Sequence, residues 1–387
     1  MTLTPVCGGL YSWIERKSHK KSYPFFLTLI LVLVSLFLGF PRYDLLDTEP
    51  VPSEWQVTML KANDLTNSLT RISPDNFLSK KVFRLTVPVF IRLLHLNRTE
   101  VLAIQAVLGF LLIFFAYKLA FRILQDSPSA TMVAAGIVFI YAGKACFIDI
   151  ATHFDGWAYF FLLMALYPRN PFLIFIFATL AAWVDERGAL ALMFPILFHQ
   201  MEAAKAEDFS WRRLIRPTTR GVAVAAAVAA YLALRLYLTH AFNMHTPSNG
   251  ADLSALKENA LHTTLWFGTF TFLEGFWLLV PIVILLSIQK KQVAVATLLI
   301  GFICIYCMAT FFVFDLTRSG SYLFSAIFVL LIYLRESADP SFIRTMTSIC
   351  FFFCFIFPSM NYIAFQDFLF HIDKPFFEVL AALLRKH

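Results

Sequence analysis

The chain predicts an all-α, polytopic membrane protein of about eleven transmembrane helices, forming one membrane domain over residues 1–387. Three observations carry this. Residues are 59% hydrophobic and only 15% charged, with a mean hydropathy of +0.70, whereas soluble domains carry about 25% charged residues. The apolar runs are continuous, whereas a membrane β-barrel needs ~10-residue segments of alternating hydrophobicity. No polar block between the apolar runs is longer than the first loop. The net charge of +7 comes from Lys and Arg at the ends of apolar runs, where they set orientation. It is no nucleic-acid signal, and no nucleic-acid partner is expected.

Residues 1–23 read as a basic cytoplasmic tail (Arg16, Lys17, Lys20, Lys21). The first apolar run, 24–41, is not followed by a small-residue cleavage site, so it is expected to be an anchor rather than a signal peptide. Residues 42–98 form a first extracytoplasmic loop. Within it Val82 to Leu96 predict an amphipathic interfacial helix, with Val82, Leu85, Val89 and Leu93 on one face. The basic stretch Lys80, Lys81, Arg84, Arg92 and Arg98 fits poorly with an outer position. The remaining crossings are expected at 99–119, 129–147, 156–168, 171–184, 188–199, 219–239, 263–288, 292–314, 319–334 and 345–358, followed by an amphipathic tail over 359–387. Denser Lys and Arg in the alternate short loops put the N-terminus in the cytoplasm.

Three of these crossings are short. A span needs ~20 residues for a ~30 Å hydrocarbon core, and segments of the length of 156–168, 171–184 and 188–199 reach only about 20 Å. They are either short crossings or re-entrant segments. Irregular polar backbone at that depth is tolerated where it lines a cavity. Both alternatives sink Asp155 and Asp185-Glu186-Arg187 below the outer surface.

The candidate functional residues are the charges wedged against apolar runs on that side, since an ionisable group at membrane depth marks function by default. Asp44 and Asp47 follow the first span; as a pair they suit a divalent cation or a general base, or else belong to a solvated juxtamembrane loop. Asp149, His153 and Asp155 lie between two apolar runs, as a proton-handling pair, as metal ligands or as a capping turn with Asp155 as N-cap. Asp185, Glu186 and Arg187 place three charges between two hydrophobic segments, where Gly, Asn or Ser would have made a turn without burying charge. Asp315 and Arg318 repeat the theme, and the planar fork of Arg318 suits a phosphate. Asp252 and Glu258 form a further acidic loop. Cys304-x-x-Cys307 has redox spacing but falls in mid-span and reads as a packed, inert pair. Arg235 and Glu274 read as structural charges, and the inner ends read as plainly basic. No P-loop, dinucleotide fingerprint or HExxH motif is present.

An N-in first span, an early acidic outer loop, an interfacial helix and short helix pairs with charged outer ends together resemble the GT-C superfamily. These are integral-membrane glycosyltransferases that use polyprenyl-phosphate sugars. The phrase FDGWAYFFLLMAL…FATLAAWVDERGALAL also looks like bacterial multi-span proteins with an Asp-Glu-Arg turn. The resemblance implies a GT-C-like fold in which Asp44 or Asp47 deprotonates the acceptor hydroxyl. Arg187 or Arg318 would hold the departing lipid phosphate, and Asp155, Asp185 and Glu186 would grip sugar hydroxyls or a cation. The implied partners are a lipid-linked sugar donor, a glycan or lipid acceptor and the membrane lipid. A divalent cation, magnesium or manganese, is compatible with the carboxylates, but no pattern requires a cofactor. A transporter or flippase of a lipid-linked sugar, or a glycan polymerase or ligase, uses the same residue types.

Overall fold

A computed structural model describes residues 4–39, 43, 46–47, 51–67, 69, 81–204, 209–246, 264–313, 315–357, 360–361 and 369–370. Asp44, the Asp252/Glu258 loop and nearly all of the C-terminal tail lie outside the described residues. The chain is helical nearly throughout: α1 (Thr4–Ser18), α2 (Tyr23–Gly39), α3 (Val51–Asn63), α4 (Thr86–Leu94), α5 (Arg98–Leu124), α6 (Ser127–Phe139), α7 (Tyr141–Ile148), α8 (Asp155–Leu166), α9 (Pro171–Val184), α10 (Glu186–Ala191) and α11 (Met193–Ala203). They are followed by α12 (Trp211–Ile215), α13 (Thr219–Phe242), α14 (Thr264–Leu273), α15 (Leu279–Gln289), α16 (Val293–Phe311), α17 (Leu316–Gly320), α18 (Ser325–Ser337) and α19 (Pro340–Ile356). Among the described residues, one two-residue strand pairing joins Met360–Asn361 to Leu369–Phe370.

Among the described residues, five helical stretches are long and apolar enough to cross a membrane, or six if the bent pair α6–α7 is one span. Four shorter apolar helices, at Tyr23–Phe37, α8, α9 and α19, accompany them. The chain is therefore an integral-membrane type of helical protein by length and composition. The stretch Leu316–Ser337 runs through the centre, with 94% of its apolar window buried against 33% for α5 and α13. Those outer helices keep one face packed and leave the other, with residues such as Leu232, Leu236 and Val107, outward. A hydrophobic outer face needs lipid around it, which agrees with the membrane reading.

Local chemistry sets the helix ends. Asn97 and Glu100 form a reciprocal capping box at the start of α5, with bonds of 3.0 and 2.7 Å. Asp126 caps α6 through the Ser129 N–H, ahead of Pro128. Asn170 does the same for α9 ahead of Pro171. The expected crossing 129–147 is bent by 54° between α6 and α7, where Ile140 is extended. At that bend a Cβ on Gly143 would collide with the Ile137 carbonyl, so glycine permits the close turn.

Two expectations are corrected. The crossing 188–199 breaks at Leu192 into α10 and α11. The interfacial helix is only α4, preceded by a 3-10 turn, and its buried face is Val87, Pro88 and Ile91, while Leu93 is 71% exposed. The cause is a tertiary anchor: Leu85 donates its N–H to the Trp183 carbonyl at 2.8 Å and Thr86 its hydroxyl to the Leu180 carbonyl at 2.9 Å. These bonds rotate the helix onto the end of α9.

The bundle has two distinct ends. Arg98 begins α5 beside Asp47, while Arg122, in its last turn, donates to the carbonyls of Leu166 and Tyr167 at the far end of α8. Helix α8 has 12 residues against 27 in α5, about 18 Å against about 40 Å. Its start, and the end of the antiparallel α9, therefore fall well short of the Arg98 end. Gln105, two turns into α5, donates to the Asp149 carbonyl at 2.7 Å, which places that loop about 10 Å down the helix.

Candidate functional site

The short helices bring their charged ends together in that recess. Asp155, in the first turn of α8, is fully buried and holds two guanidinium groups: Arg318 Nε at 2.6 Å on one oxygen and Arg187 Nη2 at 3.2 Å on the other. Tyr322 donates its hydroxyl to the same carboxylate at 2.9 Å. Asp185 caps α10, accepting from the Arg187 backbone N–H at 3.0 Å and from its Nε and Nη2 at 2.7 Å each. Its outer oxygen also meets Arg84 Nη2 at 2.8 Å. Asp315 caps α17 and pairs with Arg318 Nη1 at 2.8 Å. One continuous chain of charges results, Arg84–Asp185–Arg187–Asp155–Arg318–Asp315.

Every link is anchored from a different element. Arg187 donates to Ser319 Oγ at 2.8 Å and lies 5.3 Å from the Tyr322 ring centroid. The hydroxyls of Tyr159 and Tyr306 donate to the carbonyls of Arg318 and Ser319, at 3.0 and 2.8 Å. Gly188 allows α10 to fold back on α9, since a Cβ there would lie 2.5 Å from the Ala181 carbonyl oxygen. Burial would push the Asp185 carboxyl up, but Arg187 and Arg84 overcome that and hold it below the usual carboxylate range. The two central aspartates are therefore anchors: they orient the three arginines, whose side chains keep only 12–15% exposure. Glu186, 3.8 Å from Arg84 and 42% exposed, is the carboxylate of this group most open to solvent.

Asp149 plays another part than the sequence suggests. Its carboxylate accepts from the backbone N–H groups of Ala151, His153 and Phe154, at 3.0, 3.3 and 2.5 Å. It thus ties the loop, whereas Phe154, with φ 59°, holds the N-cap position of α8 that had been expected of Asp155. Burial, then the Asp155 charge, pushes the Asp149 carboxyl up to about 6. His153 makes no bond to Asp155; its Nδ1 is buried without a hydrogen-bond partner. Burial, then the charges of Arg318, Lys81, Arg84 and Arg187, hold its pKa well below the ordinary value, so it is neutral at pH 7.

Four residues escaped the sequence reading as site members: Glu54, Lys61, Lys81 and Arg84. Lys81 is buried and donates to Glu54 at 2.7 Å and to Thr152 Oγ1 at 2.7 Å. Burial pulls its pKa down to about 8 against the pull of Glu54. Lys61 donates to the Asn67 carbonyl at 2.5 Å. Lys61, Lys81 and Arg84 line a cavity of about 20 Å³ closed by Thr58, Thr152 and Phe154, enough for one water-sized group. Arg84 Nε, buried, has no hydrogen-bond partner. The misfit of basic residues in a supposed outer loop was the available signal.

The other candidates are placed as follows. Asp47 pairs with Arg98 at 3.1 Å and is 89% exposed, with no bond to the buried chain of charges. No group of three or more His, Cys, Asp or Glu side chains converges among the described residues, and the oxygens of Asp155 and Asp185 are taken by arginine and hydroxyl donors. Cys304 is exposed and Cys307 half-buried, so this pair faces outward rather than packing inside. Arg235 lies 4.4 Å over the Phe83 ring and bonds the Tyr231 hydroxyl, while Glu274 is buried near Lys144. The opposite end is not plainly basic: Glu202 pairs with Arg122 at 3.3 Å and with Arg220, beside His199. That group ties helix ends, through Arg122 and His199 bonded to carbonyls of 165–167.

No family model matches the chain, and neither the curated proteins nor the solved structures contain a detectable match.

Proposed function

We propose that the chain is a membrane-embedded glycosyltransferase that takes a sugar from a polyprenyl-phosphate carrier at the extracytoplasmic face, in a GT-C-like bundle of about eleven crossings. One observation carries this: buried carboxylates orient three arginines, next to a cavity lined by Lys61, Lys81 and Arg84, and the buried Arg84 Nε has no hydrogen-bond partner. A recess at one end of a lipid-facing bundle, with cations on its rim, suits an anionic head group whose chain stays in the bilayer. The cavity accepts one phosphate oxygen, and Arg84 with Lys81 would steady the charge that grows on the departing phosphate. The resemblance assigned that role to Arg187 or Arg318, but in both the Nε is already bonded to a carboxylate, whereas Arg84, paired with Asp185 through Nη2, keeps its Nε without a partner. They serve better as the held partners of Asp155 and Asp185, which leaves Glu186 as the carboxylate open to a sugar hydroxyl.

The proton acceptor for the acceptor hydroxyl is Glu186, Asp44 or Asp47. Glu186 is favoured over Asp47 because it borders the arginines while remaining solvent-accessible. The N-terminus is read as cytoplasmic, in a bacterial inner membrane, with the site end outside. The transporter reading gains from the Glu202 group at the opposite end and from buried Lys144 and Glu274 between the ends. The Glu202 group also lines a cavity of about 80 Å³ with Arg122, Arg335 and Glu336; the enzyme is preferred because Glu202 is held by Arg122 and Arg220, whereas Arg84 Nε at the other end has no hydrogen-bond partner.

The test uses purified full-length chain and a polyprenyl phosphate. Wild type should bind it, and Arg84→Lys, which keeps the charge but loses the fork, should weaken binding roughly tenfold. Glu186→Gln should keep binding and lose sugar transfer by about 10²-fold or more. Absence of polyprenyl-phosphate binding by the wild type would remove the proposal; equal turnover in Glu186→Gln would return the base to Asp44 or Asp47.

A further inference from the structure

At the end of the bundle opposite the charged recess, helix α1 is bolted to the body rather than free. Tyr11 shares a hydrogen bond of 2.5 Å with Ser348, Arg344 pairs with Glu15 and with Asp126 at 2.6 Å each, and Ile14 is buried. Between α1 and α2 this leaves an apolar cleft of about 430 Å³, walled by Trp13, Ile14, Phe26, Ile30 and, from behind, Phe351. Trp13, Phe26 and Ile30 remain about half exposed along it. At its mouth stand Lys17 and Lys20. Lys20 also belongs to an adjoining polar cleft of about 710 Å³, with Lys21, Lys118, Arg344, Glu15 and Asp126.

The charges in the polar cleft decide what fits. Its two carboxylates are both taken by Arg344, whereas Lys20, Lys21 and Lys118 carry no ion pair among the described residues. Four cations therefore face two carboxylates, and the uncompensated ones flank the mouth of a greasy slot. A tryptophan on an amphipathic helix beside lysines is the arrangement that settles at a bilayer interface. We propose that this double cleft holds one anionic glycerophospholipid of the adjoining leaflet, an acyl chain lying between α1 and α2 and the phosphate among Lys20, Lys21 and Lys118. This lipid is separate from the substrate proposed for the recess, and it adds to the bonds that fasten α1.

The experiment is native mass spectrometry of the full-length chain released from detergent, after equilibration with equal amounts of phosphatidylglycerol and phosphatidylcholine. One phosphatidylglycerol should be retained per chain in preference to phosphatidylcholine. The variant Lys20→Gln, Lys21→Gln, Lys118→Gln should lose that preference, by roughly fivefold for each lysine. A control at the same end, Lys290→Gln with Lys291→Gln, should leave it unchanged. Circular dichroism should give equal helix content for all three proteins. Equal retention of the two lipids by the wild type overturns the site, as does an equal loss in the control, which would reflect general surface charge. Retention undiminished in the triple variant overturns it too.

Discussion

Arg187 shows how much one side chain is asked to do. Its guanidinium spans Asp185 and Asp155 and donates to Ser319, so three elements meet on one planar group. Lysine, a point charge, cannot reproduce that fork. Asp149 offers a measurable pH signature. Its carboxyl titrates near 6 in the folded protein and at about 3.8 when free, so the folded state binds more protons between those values. Stability should therefore fall as pH rises from about 4 to about 6. Thermal melting in detergent across that range should show the slope, and Asp149→Asn should flatten it; an unchanged slope would assign the effect to another group. The sequence already marked Asp149, Asp155, Asp185, Arg187 and Arg318 as unusual, because charge beside an apolar run is visible without coordinates. It marked Lys81 and Arg84 only as basic residues that fit poorly in an outer loop, and not as site members, because nothing local distinguishes a buried lysine from a solvated one.

Among the helices, shortness is what matters. Helices α8 and α9 stop about halfway along α5, and the charged turns at their ends are sunk for that reason. That inference was available from segment length, and the tie between Gln105 and Asp149 now gives it a depth. The breaks inside helices were less legible. Nothing in the local pattern separates α10 from α11, and the break at Leu192 lets α10 lie against α9 with Arg187 turned towards Asp155. Gly188 is the tightest point of that contact. Gly188→Ala forces a Cβ to within 2.5 Å of the Ala181 carbonyl, and strain of this kind costs about 1–3 kcal/mol. Melting in detergent should drop accordingly, while an Ala at Gly301, which has open space around it, should be silent. Equal effects at both positions would discount the packing account.

The whole bundle separates two polar ends across a lipid-facing body, and the orientation proposed for it can be checked directly. In an otherwise cysteine-free chain in intact cells, Glu186→Cys should react with a membrane-impermeant thiol reagent. Lys290→Cys should react only after the cells are opened. The reverse pattern would invert the bundle and move the recess to the cytoplasm.

Composition and segment length were enough to say that this is a helical membrane protein, that its helices are unequal, and that its costly charges cluster at span ends. Those properties are local, since hydropathy and reach are sums over neighbours in sequence. Which charges meet is another matter. Arg84 reaches Asp185 because Leu85 and Thr86, at the start of α4, are hydrogen-bonded to the end of α9, and Asp155 reaches Arg318 because Tyr159 of α8 bonds the Arg318 carbonyl and packs its ring on Tyr322 and Phe324. Contacts between residues far apart in the chain depend on how whole helices pack, and packing set the partners and the depth of the charged turns.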